Sequence, residues 1–173
     1  MIEIPTLDTE RLMLRGWRES DLDGLAAIFG DADVARFVGG VQSRSDAWRT
    51  LSATIGHWVL RGYGLWAVTR KSDNALVGRV GIHYPLDWPG IEVAWTLGRP
   101  YWGQGYATEA AAASVRFGFA QLGLPRLVSL IDPRNRASQR VAERLGETKG
   151  APATVTVFGR VGTVDVWSIE RPR

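Results

Sequence analysis

One unit in the middle of the chain restricts the fold more than any other. Ile91-Glu92-Val93-Ala94-Trp95-Thr96-Leu97 reads as a strand, Gly103 and Gly105 mark a turn, and the stretch from Gly105 to Leu122 follows as a helix. Ala107, Ala111, Val115 and Phe119 recur every four residues there, which places them on one helix face. Arg126 to Ile131 is then a short apolar strand. Two strands joined through a helix run parallel, with a right-handed crossover. A fold without a parallel pair is therefore excluded.

The segments around this unit lack a second such crossover. Arg11 to Arg15 alternates polar and apolar residues as a strand does, and helical patterns follow Ser20-Asp21 as far as Gly30 and Ser43 as far as Gly62. Leu65 to Arg70, Leu76 to Tyr84 and Ile91 to Leu97, separated by turn residues, predict an antiparallel meander. Asn135 to Leu145 reads as a helix, and Thr154 to Phe158 and Val164 to Ile169 as closing strands. The expected order is β-α-α-β-β-β-α-β-α-β-β. It forms a mixed α/β (α+β) sheet, mostly antiparallel with one parallel pair and flanked by helices. No repeat or linker interrupts it, so residues 1–173 are expected to form a single domain.

Composition removes several kinds of chemistry. Cysteine is absent, so disulfides, cysteine–zinc sites and thiol nucleophiles are excluded, and two histidines far apart predict no metal centre. The net charge of +3 is spread among interspersed acids, with arginine outnumbering lysine 19 to 2 and no basic block, which argues against nucleic acid as partner. Met1 to Pro5 lacks the pattern of a secretory leader. No run approaches the ~20 apolar residues of a membrane helix. The expectation is a cytoplasmic protein with no membrane partner. Most of the eight tryptophans are assigned to the core, Trp48 and Trp58 on helices and Trp66, Trp95 and Trp167 in strands, while Trp17 and Trp88 in loops are candidates to line a pocket.

The glycine turn carries the ligand chemistry. Glycines before a helix let backbone N–H groups approach an oxygen-rich group, and the helix start adds unpaired N–H groups and the positive end of its dipole. Thr108 adds a hydroxyl, and Glu109 complements the dipole without needing to touch a ligand. A glycine turn with no ligand, or a dinucleotide fold, would use the same pattern. Against the dinucleotide fold stand Thr108 at the sixth fingerprint position and the insertion Arg99-Pro100-Tyr101-Trp102. No Gly-Lys-Ser/Thr sequence is present, which excludes a P-loop.

The run Glu92 to Leu97, then Pro100-Tyr101-Trp102-Gly103-Gln104-Gly105-Tyr106-Ala107-Thr108-Glu109-Ala110, resembles the acyl-CoA-binding motif of the GNAT superfamily. Asn135 to Gly146 resembles the second motif of its RimJ/RimL-type branch, and Leu7-x-Thr9-Glu10-Arg11-Leu12-x-Leu14-Arg15 resembles that branch's opening. The resemblance implies the GNAT fold and direct transfer of acetyl from acetyl-CoA to a primary amine, with a protein N-terminus as the leading acceptor. A small-molecule amine such as an antibiotic or polyamine is the alternative. It also allows a homodimer.

By the same resemblance, Trp95, Thr96 and Leu97 lie against pantetheine, with the Leu97 N–H near the thioester oxygen. Backbone groups of Trp102, Gly103, Gln104, Gly105, Tyr106, Ala107 and Thr108 hold the diphosphate. Asn135 bonds pantetheine or caps its helix, and Arg140 is the candidate for CoA phosphate. Glu92 is the first candidate base, with His83 on the preceding strand as the second. Two departures stand out: Ala142 where many members carry a tyrosine general acid, and Glu147 where many have phenylalanine. Ser138, one turn from Ala142 on the same helix face, is the replacement proton donor. The missing tyrosine keeps a non-catalytic CoA-binding sensor as a rival, and a nicotinamide oxidoreductase is a weaker one.

Overall fold

The structure, a computed structural model, describes residues 3–157 and 160–172. Of the segments read above, Met1 and Ile2 of the N-terminus and Phe158 of a closing strand lie outside them. Eight strands form one sheet: β1 (Leu7–Asp8), β2 (Leu12–Arg15), β3 (Leu65–Arg70), β4 (Leu76–His83), β5 (Glu92–Leu97), β6 (Arg126–Ile131), β7 (Thr148–Val157) and β8 (Arg160–Glu170). Their spatial order is β1-β2-β3-β4-β5-β6-β8-β7. The β5–β6 pair is parallel and every other pair is antiparallel, as the crossover requires.

The helices are α1 (Leu22–Gly30), α2 (Ala32–Ala35), α3 (Arg44–Arg61), α4 (Tyr106–Ala120) and α5 (Arg136–Leu145). Ser43 starts α3 through a capping box, its Oγ accepting from the Asp46 N–H, and left-handed Gly62 (φ 75°) ends it. On one side of the sheet α4 lays Tyr106, Ala110, Ala111, Val115 and Phe117 over Leu14, Trp66, Val80, Ile82 and Val93. Fully burying each of the larger apolar side chains contributes about 1.5–3 kcal/mol. The approach is close, because a Cβ on Gly118 would stand 2.7 Å from Ile82 Cδ1. On the other side, Leu25, Ile28 and Phe29 of α1 and Leu51 of α3 cover Ala67 and Trp17.

Some expectations need correction. Trp48 is 45% exposed and is not core, whereas Trp17 is buried and donates to Leu65 O, so it lines no pocket. The two-residue β1 and the short α2 were not expected. β7 begins six residues before the expected Thr154 and runs through Pro152, which an edge strand tolerates because its outer N–H needs no partner. Among the described residues no helix is long and apolar enough to cross a membrane.

Candidate active site

The sheet forks at β5 and β6. Gly98 N–H donates to Val77 O, and the β4–β5 register pairs Gly78 with Leu97 and Arg79 with Thr96. Antiparallel alternation then turns the N–H groups of Trp95 and Leu97 away from β4, toward β6. Among the described residues β6 pairs with β5 only at Glu92↔Val128. Beyond that point side chains replace the ladder. Leu130 N–H donates to Glu92 Oε1 (3.1 Å), and Val93 O accepts from Ser129 Oγ (2.8 Å). The β5 edge at Trp95 and Leu97 therefore faces the opening of the fork. Trp102, although half-exposed, fixes this end by donating from Nε1 to Leu97 O at 2.8 Å.

Next to the fork is the glycine turn. Gly103 (φ 73°) and Gly105 (φ 81°) both take the left-handed conformation, and Gly105 caps α4 with no side-chain hydrogen bond. The first helical bond is Glu109 N–H to Gly105 O, so the N–H groups of Tyr106, Ala107 and Thr108 have no backbone partner among the described residues. Thr108 Oγ1 is buried in the same turn without a partner. A Cβ at Gly103 would meet nothing within 4 Å, so the space over the turn is open. Unpaired donors, a helix dipole and open space fit an anionic diphosphate.

Glu109 points elsewhere. It accepts from Thr9 Oγ1 (2.7 Å), Arg11 N–H (2.8 Å) and Arg11 Nε (2.8 Å). Burial would raise its carboxyl, but those donors more than offset that and hold it below the usual range. Arg11 also reaches Gln104 O and lies over the Tyr106 ring. The opening Thr9-Glu10-Arg11 segment thus straps β2 to the start of α4.

Glu92, 7% exposed, stands on the sheet face opposite α4, as strand alternation predicts. Its Oε2 lies 2.6 Å from His83 Nε2 and accepts from Trp88 Nε1 at 2.8 Å. A carboxylate cannot donate, so the His83 Nε2 carries the proton of this contact, and in the neutral imidazole Nδ1 is then the acceptor atom. The structure joins the first and second candidate bases into a dyad, and it uses the loop residue Trp88 to fix that dyad. His57 is nearby but occupied. Its Nδ1 serves Tyr63 O (2.7 Å), its Nε2 takes the Tyr84 N–H (3.0 Å), and burial pushes its pKa below the ordinary value.

Ser138 is half-buried where α5 meets the fork and accepts from Trp95 Nε1 at 3.2 Å, which leaves its own hydroxyl proton uncommitted among the described residues. Asn135 Oδ1 caps α5 by accepting from Ser138 N–H. Ala142 is fully buried against Ile131 and Trp167, so the position of the usual tyrosine carries no hydroxyl. Arg140 is exposed on the outer side of α5 and makes no side-chain hydrogen bond among the described residues. A cleft of about 820 Å³ runs over this face, lined among others by Gln42, Arg79, His83, Trp88, Glu92 and Ser138.

Sequence reasoning marked Glu147 only as a departure. It is buried (5% exposed) with Oε1 2.9 Å from Ser129 Oγ, the hydroxyl that also serves Val93 O. One hydroxyl has one proton. If it goes to Val93 O, only a protonated Glu147 can complete the other contact. Burial, reinforced by the Glu92 charge, pushes the Glu147 pKa up to about 8 and keeps that proton in place. The carboxyls of Glu92 and Glu147 thus sit together at the root of the fork.

Residues 11–148 match the family profile described as the Acetyltransferase (GNAT) domain. The protein YkkB of Bacillus subtilis (strain 168) is 32% identical over 143 residues, which cover 81% of this chain and 83% of YkkB. The crystal structure of an acetyltransferase from Agrobacterium tumefaciens str. C58 superposes with a TM-score of 0.84 at 30% identity, covering 98% of this chain and 96% of that one. RimL, a ribosomal L7/L12 alpha-N-protein acetyltransferase solved in complex with coenzyme A, superposes with a TM-score of 0.78, covering 96% and 98%; at 18% identity this is a likeness of fold.

Proposed function

The chain belongs to the GNAT acetyltransferase family, and on that premise we propose that its single domain acetylates the primary amine of a peptide or protein N-terminus. The observation that carries this reading is the fork. It sets an unladdered β5 edge, a phosphate-suited helix start and a histidine–carboxylate dyad around one cleft. The branch resemblance of the Leu7–Arg15 and Asn135–Gly146 segments supports an N-terminal amine as acceptor.

Acetyl-CoA, when bound, supplies the acetyl group as a thioester. The other tasks fall to this chain. The N–H groups of Tyr106, Ala107 and Thr108 hold the diphosphate, in the cradle formed by Trp102 to Gly105. The Leu97 N–H, turned into the fork beside Trp95 and Thr96, donates to the acyl oxygen as it gains charge, an interaction worth most in a dry site. An α-amine has a pKa near 8 and is mostly protonated at neutral pH. His83 Nδ1 takes its proton, and Glu92 orients the ring and stabilises the imidazolium, the division of labour of other histidine–carboxylate dyads. Ser138 holds a proton at Oγ for the departing sulfur, and Asn135 keeps that hydroxyl in place by capping α5. Arg140 lies on the outer surface of α5, apart from this arrangement, and would meet only the outermost phosphate.

Thiol release from acetyl-CoA over a panel of N-terminal peptides and small amines tests the proposal. Peptides are expected to exceed polyamines and amine antibiotics in kcat/KM. His83→Gln should lower kcat by about 10²-fold or more, the usual scale of general base catalysis, with acetyl-CoA affinity retained. Turnover of small amines alone would replace the acceptor class. Tight CoA binding without turnover of anything would replace the enzyme by a sensor.

A further inference from the structure

Arg79 stands in the cleft without a polar partner among the described residues. It belongs to β4, directly across from Thr96 of β5, on the sheet face that also carries His83 and Glu92. Its guanidinium lies over the Phe29 ring at 4.6 Å and forms no hydrogen bond or salt bridge among the described residues, though the side chain is half-buried and lines the cleft. An arginine so placed is unusual, because a desolvated cation is costly unless an anion meets it. Burial pulls its pKa down to about 10, and the charge of Glu92 only partly opposes that. Glu92 is not its partner: the Glu92 oxygens accept from His83, Trp88 and Leu130 and make no contact with the guanidinium among the described residues.

Two further donors open toward the same space. Gln42 Oε1 accepts from Thr50 Oγ1 (2.9 Å), and the Gln42 amide N–H₂ group has no partner among the described residues. Thr96, 9% exposed, likewise has no hydrogen bond on its hydroxyl. The other arginines of the cleft are placed differently. Arg49 is paired with Asp46, and Arg36 is exposed and lies over Phe37. A planar guanidinium flanked by an amide and a hydroxyl is suited to a carboxylate.

From this arrangement we infer that the acceptor carries a carboxylate on the same molecule as its amine, and that Arg79 is the specificity-determining residue that binds it, with Gln42 and Thr96 as further donors. The inference rests on the amine-acetyltransferase reading and narrows its substrate class. Arg79 and His83 are four residues apart on β4, roughly 13 Å along a strand. The amine waits at His83 and the carboxylate at Arg79, so an acidic side chain a few bonds beyond the amine, as in the first residues of a peptide, spans the gap better than an α-carboxylate. Both sources present the same anion.

The test has three arms: C-terminally amidated hexapeptides beginning Ala-Glu or Ala-Ala-Glu, the same peptides with Gln for Glu, and free glutamate. Each is measured by thiol release, and by calorimetric titration into the protein saturated with CoA. The expected result is a preference of about tenfold to hundredfold in KM and Kd for a carboxylate-bearing acceptor over its amide counterpart. In Arg79→Gln that ratio should collapse toward one, and Arg79→Lys should restore part of it. A preference seen with the peptides identifies a peptide side-chain carboxylate, and use of glutamate without that preference identifies a free amino acid as the source of the anion. Equal handling of Glu and Gln peptides together with poor use of glutamate overturns the inference, as does an unchanged ratio in Arg79→Gln. If no amine is acetylated, the catalytic reading fails, yet the calorimetric ratio still decides the role of Arg79. A thermal melt of each variant separates loss of the anion site from loss of the fold.

Discussion

Glu147 follows the left-handed Gly146 that ends α5, and its backbone N–H returns to Ala142 O, so its side chain is carried under the sheet. There it meets Ser129, with Oε2 unpartnered and the Glu92 charge nearby. Its titration has a direct consequence for stability. Below about pH 4.5 folded and unfolded chains both hold the proton, and the group is neutral to folding. Between 4.5 and about 8 the unfolded chain releases it while the folded chain keeps it, so stability falls by up to about 1.4 kcal/mol per pH unit. Above about 8 both are ionised and the loss is complete. Glu147→Gln keeps a donor for Ser129 and cannot ionise. It is expected to match the wild type near pH 4 and to exceed it by on the order of 5 kcal/mol at pH 9, in urea unfolding at each pH. A wild-type advantage at pH 9 would mean that Glu147 is a stabilising carboxylate.

At the scale of elements, the start of α4 has two duties that can be separated. The strap of Glu109 to Thr9 and Arg11 holds the helix to β2, whereas Gly103 and Gly105 keep its N–H groups bare. Glu109→Gln should cost about 1–3 kcal/mol of stability through the weakened charge-assisted bonds, with acetyl-CoA affinity little changed. Gly105→Val should do the reverse. A β-branched residue at φ 81° is strained and its Cβ would stand 3.4 Å from Arg11 Nη2, so the turn that presents the donors must shift and affinity should fall at least tenfold, while the melting temperature drops by only a few degrees. Equal loss of affinity in both variants would merge the two duties. The same helix shows what a sequence can and cannot reveal. Its apolar spacing, its glycines and the strands on either side are local signals, and they give the parallel pair correctly. Glu109 in a first helical turn looks like a dipole partner until Arg11, 98 residues away, is seen against it. Glu147 after a helix-ending glycine looks solvated until Ser129 closes over it. Arg79 looks like an outward strand residue until α1 brings Phe29 beneath it. These are long-range contacts, and so is the order β6-β8-β7, in which the last strand inserts between its two predecessors.

Across the whole molecule, the sheet consists of two parts joined at its narrowest ladder. β1 to β5 with α1 to α4 form one part, and β6 to β8 with α5 the other. Between β5 and β6 the backbone contact is a single Glu92↔Val128 pairing, supplemented by Leu130 to Glu92, Ser129 to Val93 and Trp95 to Ser138. A ligand in the fork would touch Trp95 to Leu97 on one part and Asn135 and Ser138 on the other, adding contacts where the sheet's ladder is shortest. Binding to the folded chain alone stabilises it by about 2.7 kcal/mol at a hundredfold excess over Kd. For a domain of this size that is a rise in melting temperature of roughly 5–10 °C. Acetyl-CoA is expected to produce such a rise and NAD none, and amide exchange should slow in β5 and at the start of α5 as well as at the glycine turn. A shift with protection confined to the turn would show that the ligand sits on the helix start without bridging the fork. An equal shift with NAD would mean that the turn reads a diphosphate and little else, and the acyl site would have to be sought in another part of the cleft.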